Sequence, residues 1–490
     1  MKTLRLALFI IFASVSSLWA YGPTGHEIVG GIADKLIANT PAAAKLNALI
    51  EGITLEKASV IPDEIKAWDK NGPDDPNAFP HYSDHPKIDK QLRDFWRANP
   101  PTHDPNSPTP SHHWFHYTDV PVFNVQKYSD GKTGRNKWDI VHMIPFCVAV
   151  LKGETPENNP RKITKPVAVI LLAHYVGDIH QPLHVGAEYF DQAGHASDPD
   201  KDKSGLEDEG GNTFALQLKT GTPEAMAHQG LKFHGFWDHD AVMGNLPPLP
   251  GTISREERYQ KIEPAKRKII QQLSSKEPEN WRLPASVLLK DYAEAWADEI
   301  LPIAREAHER LQFRSVHSQL DQDRMVAAGI AQEKNAPDHI AYADWSAKIV
   351  REELHKAGWR LADLLQQALT STSTTTAAPP VVSGSVQSAP NKAEPSSAPT
   401  AALAASATAA SQFGEYPANY KEIVAAWMKA HAFDSSRIEW QSEPKPADMP
   451  GKGRPHLYGY LVIFNTPEQS HAKTRSVLIR DGAVVNNSGF

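Results

Sequence analysis

Before residue 370, apolar residues recur at three-to-four spacing in six stretches, which predicts amphipathic or buried helices. They are GHEIVGGIADKLI, KWDIVHMIPFCVAVLKG, TKPVAVILLAHYVGDI, REERYQKIEPAKRKIIQQL, PASVLLKDYAEAWADEILPIAREAHERL and WSAKIVREELHKAGWRLADLLQQAL. GGNTFALQLKTG breaks the pattern. Its alternation between Gly210–Gly211 and Gly221 predicts a strand hairpin. Polar, Pro-rich loops are expected at about 71–87, 98–111 and 191–211. From about residue 413 the pattern changes. YPANYKEIVAAWMKAHAF predicts a helix, and RIEWQS, YGYLVIFN and RSVLIRDGAVVNN predict strands. The expected fold class is therefore mainly α with a small hairpin, followed by a small α+β domain.

Composition divides the chain further. Residues 1–20 have a charged start (Lys2, Arg5), an apolar run from Leu6 to Val15 and a small residue, Ala20, at the end. This predicts a signal peptide cut before Tyr21, with an apolar core too short to span a bilayer. An exported protein, periplasmic or secreted, is expected, with no stable membrane insertion. Residues 370–412 are nearly all Ser, Thr, Ala and Pro. They cannot bury enough apolar surface to order themselves and read as a linker, reaching on the order of 35 Å. The expected domains are 21–369 and 413–490. The second segment has near-balanced charge and carries no assignable chemistry.

Cys147 is the sole cysteine and lies in an apolar helical run, so it reads as a core thiol. Any metal site must use nitrogen and oxygen ligands. The formal charge of −7 becomes −9 without Lys2 and Arg5, which excludes nucleic-acid binding through a basic surface. A polyanionic substrate needs a local positive centre.

Two His/Asp pairs supply candidates for that centre: His174–Asp178 in LLAHYVGDIHQPLH and His234–Asp238 in FHGFWDHD. A four-residue step puts both side chains on one helix face, a half-site for a divalent ion. His184 follows Pro182, which ends or kinks the helix. Taken singly, such residues are ordinary: His26 a helix-start group, Asp63 a helix N-terminal acid, His116 a core histidine among His112, His113 and aromatic residues. His81, His85, His103, His142 and His195 default to surface or structural roles. His180 and His239 point away from the pairs by helical phase.

The set YGPTGHEIV, IPDEIKAW, WFHYTDVP, HYVGDIHQPLH, GGNTF, FHGFWDHD and AGWRLADLL, in that order over about residues 21–369, resembles the trinuclear zinc nucleases of the S-one/P-one type. The resemblance implies the phospholipase C/P-one nuclease-like helical fold and three zinc ions per chain. Tyr21 stands where that family usually has Trp, a residue that binds zinc through its amine and carbonyl. The resemblance implies a first zinc on Tyr21, His26 and Asp178. It implies a second on Asp63, His116, His174 and bridging Asp178, and a third on His184, His234 and Asp238.

It also implies hydrolysis of single-stranded RNA or DNA to nucleoside 5′-phosphates, with 3′-nucleotidase activity, by attack of a zinc-bound hydroxide on phosphorus. Asp63 and Asp178 are the catalytic carboxylates on this reading. Unstacked bases can lie on aromatic rings, so Tyr117 is a candidate stacking platform or else core. Asp119 could accept a hydrogen bond from a base edge or be a loop acid. Asn212 could contact phosphate or, in preference, shape its turn. No Arg or Lys is placed as a phosphate clamp. The substrate partner is single-stranded nucleic acid or a 3′-nucleotide, and a monomer is expected. A zinc-dependent phospholipase C and a non-catalytic zinc-binding exported protein are the rival readings.

Overall fold

The computed structural model describes residues 21–370 apart from 76–78, 103–108, 203–204, 220–230, 249–254 and 322–323. In the C-terminal segment it describes 417, 419–430, 438–441, 444–451, 454–467, 472–480 and 483–488. The expected leader, 1–20, and residues 371–412 of the expected linker lie outside the described residues. The chain divides into two compact units, Met1–Ala377 and Ala378–Phe490.

The first unit is helical, as its apolar spacing predicts. Its main helices are α1 (Gly22–Ile37), α2 (Ala42–Leu49), α3 (Leu55–Ala58), α4 (Ile61–Glu64), α5 (Pro86–Ala98), α6 (Ile140–Lys152), α7 (Lys165–Asp178), α8 (Arg255–Ser274), α9 (Tyr292–Glu309) and α10 (Tyr342–Thr370). At the centre lies α7, with every residue from Val167 to Asp178 buried. Helices α1, α6 and α10 pack around it. Being enclosed on all sides, α7 is apolar all round except at His174, Tyr175 and Asp178. Thr164 caps its start by accepting the Val167 amide, and Pro166 sits in its first turn. Cys147 is buried in α6, and burial pushes its thiol well above the usual range, as fits a core residue. No described helix is long and apolar enough to cross a membrane.

The glycine-flanked segment supplies a strand, β5 (Phe214–Gln217), which makes an antiparallel bridge from Ala215 to Lys232. After β1 (Val120–Pro121), β2 (Gly186–Ala187), β3 (Tyr189–Phe190) and β4 (Leu206–Glu207), β5 runs parallel to β7 (Arg324–Glu333). An unpredicted hairpin is β6 (Leu311–Asp321) with β7. Most of β6 is exposed, so it lacks the apolar alternation that announces a strand. The fifth predicted helix also starts late: Pro284–Leu288 is non-helical and α9 begins at Tyr292.

In the second unit, the predicted helix is α11 (Tyr420–Ala430). It lays Tyr420, Val424 and Met428 against Val462, Phe464, Val477 and Ile479 of the sheet. That sheet runs β12–β11–β10–β8, with β9 also paired to β10. The strands are β8 (Glu439–Trp440), β9 (Lys445–Gly451), β10 (Arg454–Pro467), β11 (Ala472–Arg480) and β12 (Ala483–Ser488). The last predicted strand is thus two strands, and β9, with two prolines, was not foreseen.

The approach of α3 to α1 shows how tightly the first unit is built. Asp34 on α1 accepts the Leu55 amide at 2.9 Å and the Glu56 amide at 3.0 Å, which fixes α3 in place. A methyl group on Gly30 would lie 2.3 Å from the Leu55 carbonyl oxygen. Alanine gains about 1 kcal/mol in helix propensity over glycine. Overpacking against pinned backbone costs roughly 1–3 kcal/mol. Gly30→Ala is therefore expected to lower the urea midpoint of unfolding despite its better propensity.

Candidate metal centre

Separate elements deliver the predicted ligands to one place. α1 supplies His26, α4 Asp63, and α7 both His174 and Asp178. The 3-10 turn His112–His116 ends on His116, and the turn Pro182–His184 ends on His184. Phe233–Met243 is a short helix whose middle, Phe236–Asp240, is a π turn. His234 and Asp238 still face each other, with Nε2 and Oδ2 3.3 Å apart. All eight of these ionisable residues are at most 5 % exposed. Burial of that many charged or chargeable groups is costly unless they hold one another or an ion.

The described residues include three groups here whose ligand atoms lie within 4.8 Å of one another: His26/His174/Asp178, Asp63/His116/His174 and His184/His234/Asp238. Asp178 stands between partners. Its Oδ2 is 3.0 Å from His116 Nδ1 and 3.1 Å from His174 Nε2, while Oδ1 faces His26 Nε2 at 3.2 Å. The last pair is close but not aligned as a hydrogen bond. His26 Nε2, Asp178 Oδ1 and His184 Nε2 are buried with no hydrogen-bond partner. Unmatched donor atoms of the right type, converging in a buried site, fit a divalent cation.

Backbone carbonyls aim the rings. Nδ1 of His174 donates to Ser59 O at 2.6 Å, that of His184 to His116 O at 2.8 Å, and that of His234 to Gly210 O at 2.8 Å. With Nδ1 protonated in each, Nε2 is the atom turned to the site: that of His184 has no hydrogen-bond partner, while that of His174 lies 3.0 Å from His116 Nδ1. Glycines permit the close fit. Gly210 has φ +58°, and a Cβ there would meet Leu183 O at 2.5 Å. A Cβ on Gly177 would press on His26 Nδ1 at 2.8 Å.

The electrostatics point the same way. Burial, with His184 beside it, pushes His234 down to about 3, so the ring is neutral and metal-competent. Burial and neighbouring His174 lower His26, and burial lowers His116 and His184. Burial would raise Asp63, but Lys66 and the surrounding imidazoles win and hold it down to about 2. Asp178 is likewise held low by His174, His116 and His26 against its burial. Asp238 goes the other way. Burial pushes it well above the carboxylate range, aided by Asp63 and Asp178, although Gln181 donates to it at 2.9 Å. A cation at His184/His234/Asp238 would remove that strain.

Tyr21 is buried beside this site. Its hydroxyl donates to His180 O at 2.5 Å. Next to it, a Cβ on Gly22 would lie 2.9 Å from Asp238 O, so the start of α1 packs on the Asp238 backbone. His180 itself is structural, as its helical phase suggested. It donates from Nδ1 to Val176 O at 2.7 Å, and Nε2 accepts from Arg360 Nη1 at 2.9 Å.

The substrate-side candidates fare differently. Tyr117 is half-buried, directly after His116. Asp119 is nearly buried, and burial, then Glu207, raises its carboxyl well above the usual range against the pull of Arg324. Asn212 donates to Glu209 O at 2.8 Å, which makes it a turn-shaping residue.

Two further residues were not foreseen. Lys66 Nζ lies 2.7 Å from Asp63 Oδ1 and acts electrostatically on His116, His184 and His234. Its only signal in the sequence is the three-residue step from Asp63. Arg324, on the unpredicted hairpin, pairs with Glu209 at 2.8 Å and bears on Tyr117 and Asp119.

The profile described as S1/P1 Nuclease matches residues 21–370. The chain belongs to the S1/P1 nuclease family. It is also 22 % identical over 243 residues to Endonuclease 1 from Arabidopsis thaliana, a match covering 48 % of this chain and 59 % of that protein. The family resemblance and the mainly α fold expected from the sequence are therefore both borne out.

His180 gives a pH prediction. Burial and Arg360 hold its ring neutral far below the ordinary imidazole range. The unfolded chain takes up that proton near pH 6.5 and the native state does not, so stability falls as pH drops below roughly 6.5. In metal-free protein, the urea midpoint should fall between pH 7.5 and 5.5, and His180→Gln should reduce that fall. An unchanged pH slope in the variant would reject the assignment.

Proposed function

We propose that this chain is a zinc-dependent phosphodiesterase that cleaves single-stranded RNA or DNA to nucleoside 5′-phosphates, with 3′-nucleotidase activity. The observation that carries the reading is the convergence of three His/Asp groups, with His26 Nε2, Asp178 Oδ1 and His184 Nε2 buried without hydrogen-bond partners, in a chain of the S1/P1 nuclease family. Tyr21, through its amine and carbonyl, would hold one zinc with His26 and Asp178. Asp63, His116, His174 and Asp178 would hold a second, and His184, His234 and Asp238 a third.

Bound zinc supplies Lewis acidity, polarising a phosphoryl oxygen and acidifying water towards neutrality. The side chains do the rest. Asp178 presents Oδ1 towards His26 and Oδ2 towards His116 and His174, and so would hold an ion on either side. Asp63 fixes Lys66, whose ammonium adds positive charge for a phosphate without a basic outer surface. Tyr117 offers a ring face to an unstacked base, and Asp119 offers a carboxyl oxygen to accept a hydrogen bond from a base edge. A recessed site reaches the phosphates of a single strand and not those of a stacked duplex.

Export belongs to the same proposal. An uncut precursor has an amide at Tyr21, a poor metal ligand, so cleavage after Ala20 would complete the centre. The packing of Tyr21 and Gly22 beside Asp238 supports this.

The mature chain starting at Tyr21 is expected to bind three zinc ions at this centre and degrade single-stranded nucleic acid, with duplex DNA resistant. Asp178→Asn should lose at least about 10³-fold in rate, the scale of removing a central electrostatic group, and at least one zinc by elemental analysis. Hydrolysis of phosphatidylcholine with no nucleolysis would overturn the proposal in favour of a phospholipase. One extra residue ahead of Tyr21 should lower both zinc content and rate, and full activity with a full zinc set would sink the amine-ligand role.

A further inference from the structure

A fourth group of metal-ligating side chains lies outside the centre described above. Asp69 sits in the 3-10 turn Ile65–Lys70, and His112 and His113 open the turn His112–His116. Asp69 Oδ2 is 2.5 Å from His113 Nε2, and Oδ1 is 3.1 Å from His112 Nε2. The three ligand atoms lie within 4.8 Å of one another. Two imidazoles from consecutive residues thus present the same ring nitrogen to one carboxylate.

The surroundings hold this arrangement still. Trp96 Nε1 donates to Asp69 Oδ1 at 2.8 Å. The His112 amide donates to Asn99 O at 3.1 Å, and Ser111 Oγ accepts the His113 amide at 3.2 Å. A carboxylate fixed by an outer hydrogen bond and rings fixed through their backbone form a preorganised ligand set. His112 is buried, whereas Asp69 and His113 keep 22 % and 30 % of their side-chain surface. The group is therefore open on one side to ions and water. Burial pushes His112 down to about 4, so its ring is neutral at physiological pH; its Nε2 donates to Asp69 Oδ1 and would take an ion once that proton moves to Nδ1.

We infer that Asp69, His112 and His113 form a separate zinc site, with two nitrogen ligands, carboxylate oxygen and water. The donor set suits a borderline divalent ion. Its place in the fold gives it a task. Asp69 follows Asp63 by six residues, and His113 precedes His116 by three. An ion there ties together the two short segments that carry Asp63 and His116 to the main centre. Without it, those segments meet at this point through hydrogen bonds to Asp69 alone.

The test uses the full mature chain at saturating zinc. Diffraction at the zinc absorption edge should show an anomalous peak about 2.0–2.2 Å from His112 Nε2, His113 Nε2 and an Asp69 oxygen. In parallel, native mass spectrometry should find one zinc fewer in His113→Gln than in the unsubstituted chain, with Asp69→Asn behaving alike. Asp178→Asn should keep the Asp69 peak, so a failure of the main-centre reading and a failure of this one are told apart. No peak at Asp69 in unsubstituted crystals, or equal zinc counts in folded His113→Gln, overturns the inference.

Discussion

The structure turns on one buried carboxylate. Asp178 is fully enclosed at the end of the central helix, with imidazoles of His26, His116 and His174 against its two oxygens. A lone buried carboxylate costs several kcal/mol. Here the cost is met by neighbours that come from three elements: α1, the turn that ends on His116, and α7 itself. Each of those elements must be in register for the charge to be satisfied. The packing of α1 on α3, the start of α4 after α3 and the turn that ends on His116 are therefore constrained by one side chain as much as by their own apolar faces.

The same constraint explains how much was legible in the sequence. Helix spacing exposed α1, α6 and α7 because their buried residues recur with the helical period. The His174–Asp178 and His234–Asp238 steps were readable because a helix converts a four-residue interval into a shared face. The groups that orient those rings were not readable. Ser59 O, His116 O and Gly210 O are backbone atoms, and any residue type supplies a carbonyl. Their position depends on tertiary path alone.

The failures have the same physical origin. The β6–β7 hairpin is half solvent-facing and carries polar residues where a buried strand would alternate. With the hairpin missed, Arg324 could not be placed near Tyr117 and Asp119. Lys66 was hidden differently. A lysine three residues after an aspartate is an ordinary surface pair, and only the burial of Asp63 turns it into part of a charged interior. Asn212, by contrast, went to the turn, because an amide at that offset can bond the carbonyl three residues back without any substrate.

Electrostatic asymmetry within the centre then links ion binding to folding. Asp63 and Asp178 are held ionised by their neighbours, whereas Asp238 is raised by burial and by those same two charges. The protein alone thus leaves one corner of the site with too little positive charge. A divalent ion at that corner would bind the native state and find no such ligand set in the unfolded chain. At a free concentration one hundred times its dissociation constant, such an ion adds about 2.7 kcal/mol to stability. Marginal net stability makes that a large share of the total. In the buried His/Asp groups, charge balance and fold are thus one problem, and a cation taken up by their ligand atoms would complete both together.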